Sequence, residues 1–122
     1  MSVDKRIINA LSTLAPVDRD ELSDWSAPGF TFNYDTLPIS FRNNRPSYER
    51  YLVQVHLFCP VDFNHLKLRA DAKEALFKAG FAWPDEINVG PDKEIPGDVT
   101  LQHFVYETEC TERIDAGRVR NG

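Results

Sequence analysis

The sequence predicts an α+β fold, a two-layer sandwich in which two helices pack on one face of a small, mainly antiparallel sheet. Two helical hydrophobic patterns and three stretches of alternating residues support this prediction. They follow one another in the order helix, strand, strand, helix, strand, and one sheet face would bury both apolar helix stripes. We expect residues 1–112 to form a single domain and residues 113–122 to form a flexible polar tail.

Apolar residues at helical spacing predict the two helices. In the first helix Ser2 can serve as the N-cap. Its apolar positions are Val3, Ile7, Ala10, Leu11 and Leu14. The second helix is expected over residues 65–79, with Asn64 as its cap and Gly80 as its left-handed terminator. The acidic stretch 16–29 between the first helix and the first strand reads as a connector.

Alternation with a period of two residues predicts the strands. The stretch "FTFNYDT" at 30–36 places aromatic side chains on one face, and "VTLQHFVYETEC" at 99–110 closes the fold. The stretch "RYLVQVHLFC" at 50–59 is apolar on both faces, which indicates a central strand with helices on one side and a partner on the other. Residues 36–50 are expected to form a long hairpin loop and residues 84–98 a long proline-rich loop. "FAW" suggests a short extra strand.

Composition limits the classes of function. The 14 basic and 19 acidic residues give a net charge of −5, which argues against nucleic-acid binding because phosphate neutralisation needs clustered cations. No stretch approaches the roughly 18 apolar residues of a membrane helix, and no leader of signal-peptide type is expected. Two cysteines are too few for a disulfide framework. We therefore expect a soluble protein made in a reducing cytoplasm.

The stretch "HLFCPVDFNH" at 56–65 is the one candidate for chemistry. A zinc site is disfavoured because His56 and Cys59 lie three apart on a strand and point to opposite faces, and the His65 spacing fits no usual zinc pattern. A Cys59 nucleophile lacks an evident base, and a disulfide to Cys110 is conceivable only if the two strands pair. Nucleotide-binding and hydrolase motifs are absent from the sequence. We interpret the stretch as the bend between a strand and a helix, and expect no enzyme activity, metal or cofactor.

Charge is unevenly distributed along the chain. Residues 42–50 contain three arginines and one glutamate, whereas residues 84–98 contain five acidic residues and one lysine. Opposed patches of this kind favour head-to-tail self-association. The candidate interface residues are Arg42, Arg45, Arg50, Asp85, Glu86, Asp92 and Glu94.

Several of these stretches resemble one family. They are "TFNY" at 31–34, "RPSYERYLVQVHLFCP" at 45–60, "LRADAKEALFKAGF" at 68–81, "WP" at 83–84 and "HFVYETE" at 103–109. In the order and residue pattern of these stretches, the chain from Thr31 to Glu109 resembles the small tail terminator or tail completion proteins. These proteins join head to tail in long-tailed bacteriophages and their prophages.

The resemblance implies a virion structural protein that assembles in the host cytoplasm as a hexameric ring on the last ring of the tail tube. Such a ring ends tube polymerisation and presents its other face to the connector of the DNA-filled head. The implied partners are further copies of the chain, the tail tube protein and the head connector or stopper proteins, with loops 36–50 and 84–98 at the contacts. Genomic DNA would slide through the lumen without specific binding, which the negative balance favours, and no membrane is involved.

Three alternatives stay open. The nearest is another neck or head-closure component of the same particle. The second is a small monomeric module whose loops 36–50 and 84–98 hold a ligand or a peptide. The third is a small zinc or thiol enzyme, which predicts bound metal or a reactive Cys59.

Overall fold

The computed structural model describes residues 2–21, 27–92 and 101–114. Within these residues the chain forms two helices and one five-stranded mixed sheet. The elements in chain order are α1 (Val3–Leu11), β1 (Val17–Arg19), β2 (Gly29–Arg42), β3 (Arg45–Pro60), α2 (Leu66–Lys78), β4 (Asp85–Asp92) and β5 (Leu101–Arg113). The strands lie side by side in the order β1-β2-β3-β5-β4, and only β1 and β2 pair in parallel. The predicted α+β class is confirmed, whereas the predicted element order is wrong because β1 and β4 are additional strands.

Both predicted helices are present. In α1 the Ser2 hydroxyl accepts a hydrogen bond from the Lys5 amide at 3.3 Å, which satisfies one of the open amides of the first turn. Helix α2 ends at Gly80, where a φ of +96° allows the Phe81 amide to bond back to the Leu76 carbonyl at 3.1 Å. The N-cap of α2 is His65, one residue after the predicted Asn64, although the Asn64 side chain accepts from the Leu66 amide at 3.3 Å. Neither helix described here is long and apolar enough to cross a membrane.

A single hydrophobic core joins the two helices to one face of the sheet. The predicted alternation in β3 is confirmed, because Tyr51, Val53, Val55, Leu57 and Cys59 are all buried in this core. Helices α1 and α2 and strands β2 and β5 add the buried residues Val3, Ile7, Leu11, Ala72, Leu76, Phe30, Phe32, Phe104, Tyr106 and Cys110. The face of the sheet that carries these strand residues is called the core face below, and the opposite face is called the outer face.

The expected hairpin loop over residues 36–50 is wrong. Strands β2 and β3 continue as one antiparallel ladder to the pair Arg42 and Arg45, and only Asn43 and Asn44 form the turn. Both asparagines have positive φ, 49° and 64°, which is the conformation that a two-residue type I′ turn requires and that asparagine tolerates. Leu37, Ile39 and Phe41 continue the alternation of β2, so the sequence carries a strand signal here that the loop prediction did not use.

Two further strands occupy segments that were expected to be irregular. Residues Val17–Arg19, inside the expected connector, pair in parallel with β2. Residues Asp85–Asp92, inside the expected long loop, pair with β5 as the edge strand β4. A register shift between Asn88 and Gly90 interrupts the alternation of β4, which hides it from pattern recognition. The predicted short strand at 81–83 is absent, although the Ala82 amide donates to the Glu109 carbonyl at 2.9 Å.

The last strand is longer than predicted at its end. Strand β5 continues through Arg113, and the Ile114 amide donates to the Ser47 carbonyl at 2.9 Å. The chain therefore keeps its contact with β3 for two residues beyond the expected domain boundary at 112. The remainder of the expected tail, residues 115–122, lies outside the described residues.

The Arg6 guanidinium ties α1 to the end of α2 and to β5. Its nitrogens donate to the Ala79 carbonyl at 2.9 and 3.2 Å and to the Glu112 carboxylate at 2.6 Å. Its carbon lies 4.6 Å from the centre of the Phe81 ring. One side chain thus satisfies a carbonyl at the open C-terminus of α2 and stabilises the approach of three elements.

Replacing Gly80 tests this junction. A Cβ at Gly80 would lie 2.7 Å from an Arg6 guanidinium nitrogen, and the residue also has a positive φ. Gly90 has a positive φ of 79° but open space around it. We expect Gly90→Ala to lower the free energy of unfolding by about 1 kcal/mol through backbone strain alone. We expect Gly80→Ala to lower it by about 2 kcal/mol or more, because Arg6 must also move.

Urea unfolding of the two variants beside the native chain gives the comparison. If both variants lose the same free energy of unfolding, the close approach of Arg6 adds nothing to the cost of a Cβ at Gly80.

Candidate functional site

The outer face of the sheet is the candidate functional site. Strand register aligns its side chains in rows across β2, β3 and β5. From one end of the sheet to the other the rows are Gly29–Phe58–His103, Thr31–His56–Val105, Asn33–Gln54–Glu107, Asp35–Leu52–Glu109, Leu37–Arg50–Thr111 and Ile39–Tyr48–Arg113. The face therefore changes from aromatic to acidic to basic along its length, and its central rows are exposed to solvent.

An acidic groove occupies the middle rows. It is defined here by four exposed carboxylates, Asp35, Asp85, Glu107 and Glu109, and has a volume of about 580 Å³. Glu107 lies directly opposite Asp85 on β4, and like charges in such pairs are destabilising. None of the four carboxylates forms an ion pair with a described residue. The groove is thus a concentrated negative surface that the fold of the subunit does not neutralise.

The end of the β2–β3 ladder forms a projecting hairpin arm, defined here as residues 37–50. Arg42 and Arg45 face each other in the last pair before the turn, and both are exposed. Phe41 is 61% exposed at the same tip, and Leu37 and Tyr48 are exposed behind it. An arm with a large exposed aromatic ring and two arginines has the composition of a protein interface.

Arg50 has a different environment from the two tip arginines. It lies on the outer face at the base of the hairpin arm, next to the acidic groove and opposite Leu37 and Thr111. The residue is half-buried, and its Nε atom is buried without a hydrogen-bond partner among the described residues. Reversal of its charge would therefore disturb packing within the subunit as well as any contact between subunits.

Glu86, predicted as an interface charge, instead lies on the core face of β4 and pairs within the subunit. Its carboxylate accepts hydrogen bonds from Arg69 at 2.7 and 3.1 Å, and Lys73 lies at 3.6 Å. The Arg69 hydrogen bonds are the main cause that lowers the pKa of Glu86 to about 2. Arg69 also stacks over Phe104 at 4.3 Å, and burial together with the Glu86 carboxylate raises the pKa of Tyr106. This cluster attaches the edge strand to α2.

The other predicted acidic residues are divided between two places. Asp85 begins β4 and lines the acidic groove. Asp92 ends β4, in register with Leu101. Glu94 lies outside the described residues. The structure therefore does not bring the predicted basic and acidic residues together within one subunit, and their role as interface charges stays a prediction.

The stretch at 56–65 is the predicted strand-to-helix bend, and its side chains diverge. His56 lies on the outer face, whereas Cys59 is buried on the core face, where burial raises the pKa of its thiol to about 11. A thiol with so high a pKa is a poor nucleophile at neutral pH. His65 packs against Phe104 with ring centres 4.8 Å apart. Among the described residues no group of three or more His, Cys, Asp or Glu side chains could hold a metal ion.

A disulfide between the two cysteines is ruled out by register. Strands β3 and β5 do pair, but Cys59 is opposite Gln102 and Cys110 is opposite Tyr51. Eight residues along the strands separate the two thiols, which is roughly 26 Å. No disulfide forms.

A histidine pair at the aromatic end of the outer face was not foreseen. The ring nitrogens of His56 and His103 lie 2.8 Å apart, so one imidazole donates a hydrogen bond to the other. Phe58 stacks on His103 with ring centres 4.3 Å apart. Burial lowers the pKa of His56. His56 is therefore uncharged at pH 7, and the two imidazoles and Phe58 form a stacked part of the sheet surface.

Sequence patterns missed three of the four groove carboxylates. Alternation in "FTFNYDT" and "HFVYETE" already places Asp35, Glu107 and Glu109 on the solvent side of their strands. What the patterns lack is the register of β2, β3 and β5, which brings Asp35 and Glu109, 74 positions apart in the chain, into one row. A search for like charges on the polar faces of adjacent strands would have been the available signal.

The Glu86 cluster predicts a pH-dependent stability. In Glu86→Gln the guanidinium of Arg69 loses its charged acceptor, so we expect a loss on the order of 2 kcal/mol in the free energy of unfolding at pH 7. The pKa of Glu86 is about 2 in the folded chain and near 4.5 otherwise. Its stabilising effect is therefore complete above pH 4.5 and disappears as the pH falls toward 2.

Denaturant unfolding at pH 7 and pH 3 measures the effect. The difference in the free energy of unfolding between the native chain and Glu86→Gln should be smaller at pH 3 than at pH 7. Glu107→Gln is the matched control, because it removes an exposed carboxylate without an ion partner, and it should leave stability unchanged or slightly raised. A gap for Glu86→Gln that stays constant with pH would contradict the assignment.

Comparison with known proteins adds no further identification. No protein-family model matches the chain, and no curated protein matches it in sequence.

Proposed function

We propose that the chain is a structural subunit of the neck of a long-tailed bacteriophage, a tail terminator or tail completion protein. In this role it forms a hexameric ring on the last ring of the tail tube, ends tube polymerisation and joins the tail to the head connector. The observation that carries the proposal is the separation of charge between the hairpin arm and the acidic groove. A subunit with an exposed cationic arm at one place and an anionic groove at another is suited to head-to-tail association.

The fold and the resemblance to tail terminator or tail completion proteins also support the proposal. The resemblance runs from Thr31 to Glu109, which contains β3 and α2, all but two residues of β2, and β5 as far as Glu109. The shared core of the two helices and one sheet face is compatible with the two-layer sandwich of that family. In this arrangement the outer face stays available for contacts with neighbouring subunits, the tube protein or the connector. We propose that the protein acts in the virion after assembly in the host cytoplasm, without a cofactor and without catalysis.

The negative balance of the chain is compatible with a ring through which DNA passes. A net charge of −5 repels the phosphate backbone, so DNA would move through the lumen without specific binding. Another neck or head-closure component would share these properties, and it would use the hairpin arm and the acidic groove as its contact surfaces.

One observation favours a second candidate, a monomeric ligand- or peptide-binding module. The acidic groove, at about 580 Å³, has the volume of a site for a small molecule or a short peptide. Its four carboxylates would select a cationic ligand.

Electron microscopy of particles from a phage or prophage with a silenced copy of this gene tests the proposal. We expect overlong tails, or full heads and tails that remain unjoined, because the ring that ends the tube and meets the connector is missing. Expression of the gene from a plasmid should restore joined virions. Normal joined particles in the silenced strain would contradict the neck role and favour the binding module.

A further inference from the structure

We propose that the hairpin arm of one subunit docks into the acidic groove of a second copy of this chain. Register places Phe41 on one face of the arm and the pair Arg42 and Arg45 on the other. The tip would therefore enter the groove with the arginines against its carboxylates and Phe41 against its apolar part. The proposal rests on the ring-forming function proposed above and identifies the pair of surfaces that joins neighbouring subunits.

The arm cannot reach the groove of its own subunit. Asp35 in the groove and Arg42 at the tip belong to the same strand, β2, and are seven residues apart. At about 3.3 Å per residue this is roughly 23 Å of extended chain. Strand β2 pairs with β3 along this distance except at Ser40, where φ is 55°, and the same register resumes at Phe41. The turn at Asn43 and Asn44 is too short to act as a hinge. The tip arginines are therefore available to another molecule.

The chemistry of the two surfaces is complementary. Arginine keeps its charge at all working pH values and offers paired N–H donors that match the two oxygens of a carboxylate. The groove presents four carboxylates that form no ion pair with a described residue. Two of them, Glu107 and Asp85, lie directly opposite each other on adjacent strands. A guanidinium placed between these two would convert a repulsive pair into two attractive contacts.

Apolar surface accompanies the charges on both sides. At the arm, Phe41 is 61% exposed and Leu37 is exposed behind it. In the groove, Leu52 lies between Asp35 and Glu109, and Trp83 lines one wall; both side chains are exposed. A contact that combines an aromatic ring, a tryptophan and arginines has the composition of the residues that dominate binding energy in interfaces.

The positions of the two surfaces determine the kind of assembly. The hairpin arm and the acidic groove are different surfaces of one chain, so each subunit binds one neighbour with its arm and the other neighbour with its groove. Such a heterologous contact gives a closed ring when the rotation between subunits divides a full turn, and an open filament otherwise. A second copy is favoured over a free cation because a cation leaves the exposed tip of the arm without a role.

Disulfide trapping between two variants tests the contact even if it is weak in solution. Phe41→Cys places a thiol at the arm tip and Leu52→Cys places one in the groove, and both leave all the charges intact. Mixed under mild oxidation, the two should form a heterodimer, which mass spectrometry separates from either homodimer because the two chains differ in mass. The matched control is Phe41→Cys mixed with Leu66→Cys, since Leu66 is an exposed leucine on α2 that does not line the groove.

Charge reversal then tests the chemistry. We expect the arm–groove heterodimer to exceed the control at least tenfold and to decrease in high salt. Addition of Arg42→Glu and Arg45→Glu to the arm variant should reduce it to the control yield. The yield of heterodimer should return when this charge-reversed arm variant is mixed with a groove variant that carries Asp85→Arg and Glu107→Arg. Circular dichroism establishes that every variant is folded.

Two results would overturn the proposal. One is an arm–groove yield no higher than the control, and the other is a failure of the two reversals to compensate. Binding of a basic peptide in the groove with no trapping would show the groove to be a peptide site instead. Unjoined particles in the silenced phage together with no trapping would retain the neck function and reject this contact. Trapping together with normal particles would retain the contact and reject the neck function.

Discussion

The turn at Asn43 and Asn44 sets the register of β2 on β3, and the two faces of the sheet depend on that register. Both asparagines adopt positive φ, and the strands that leave them pair residue by residue as far as Gly29 and Phe58. In a sheet, a shift of one residue would exchange the two faces of a strand. The same register that buries Phe30 and Phe32 in the core therefore places Asp35 on the outer face.

The charged groups of the core face and of the outer face differ in whether they have partners within the subunit. On the core face, Arg6 pairs with Glu112 and Arg69 pairs with Glu86, both within the subunit. On the outer face the carboxylates of the acidic groove lack partners among the described residues. Selection for stability alone would not place Glu107 opposite Asp85, since the pair is repulsive. A surface that is unfavourable in the free subunit and complementary to the arm is expected of an assembly protein.

Burial decides which parts of the fold were predictable from the sequence. Both helices and the alternation of β3 were predicted because one stripe or one face of each enters the core. The hairpin arm was missed although Leu37, Ile39 and Phe41 alternate in the sequence; its strands extend beyond the core, where Phe41 and Tyr48 stay exposed. Strand β4 was missed because the register shift near Gly90 breaks its alternation. At the candidate site, Arg42, Arg45 and Asp85 were predicted, but Glu107 and Glu109 join them only through pairing between distant strands.

A cryo-electron microscopy map of the neck of assembled particles, at a resolution that shows side chains, tests the proposed function and contact most directly. We expect a ring of this chain at the upper end of the tail tube, with the tip of each hairpin arm in the acidic groove of the next subunit. A ring in which the grooves face solvent or the tube, with the arms elsewhere, would contradict the proposed contact. Absence of the chain from the neck would contradict the function itself.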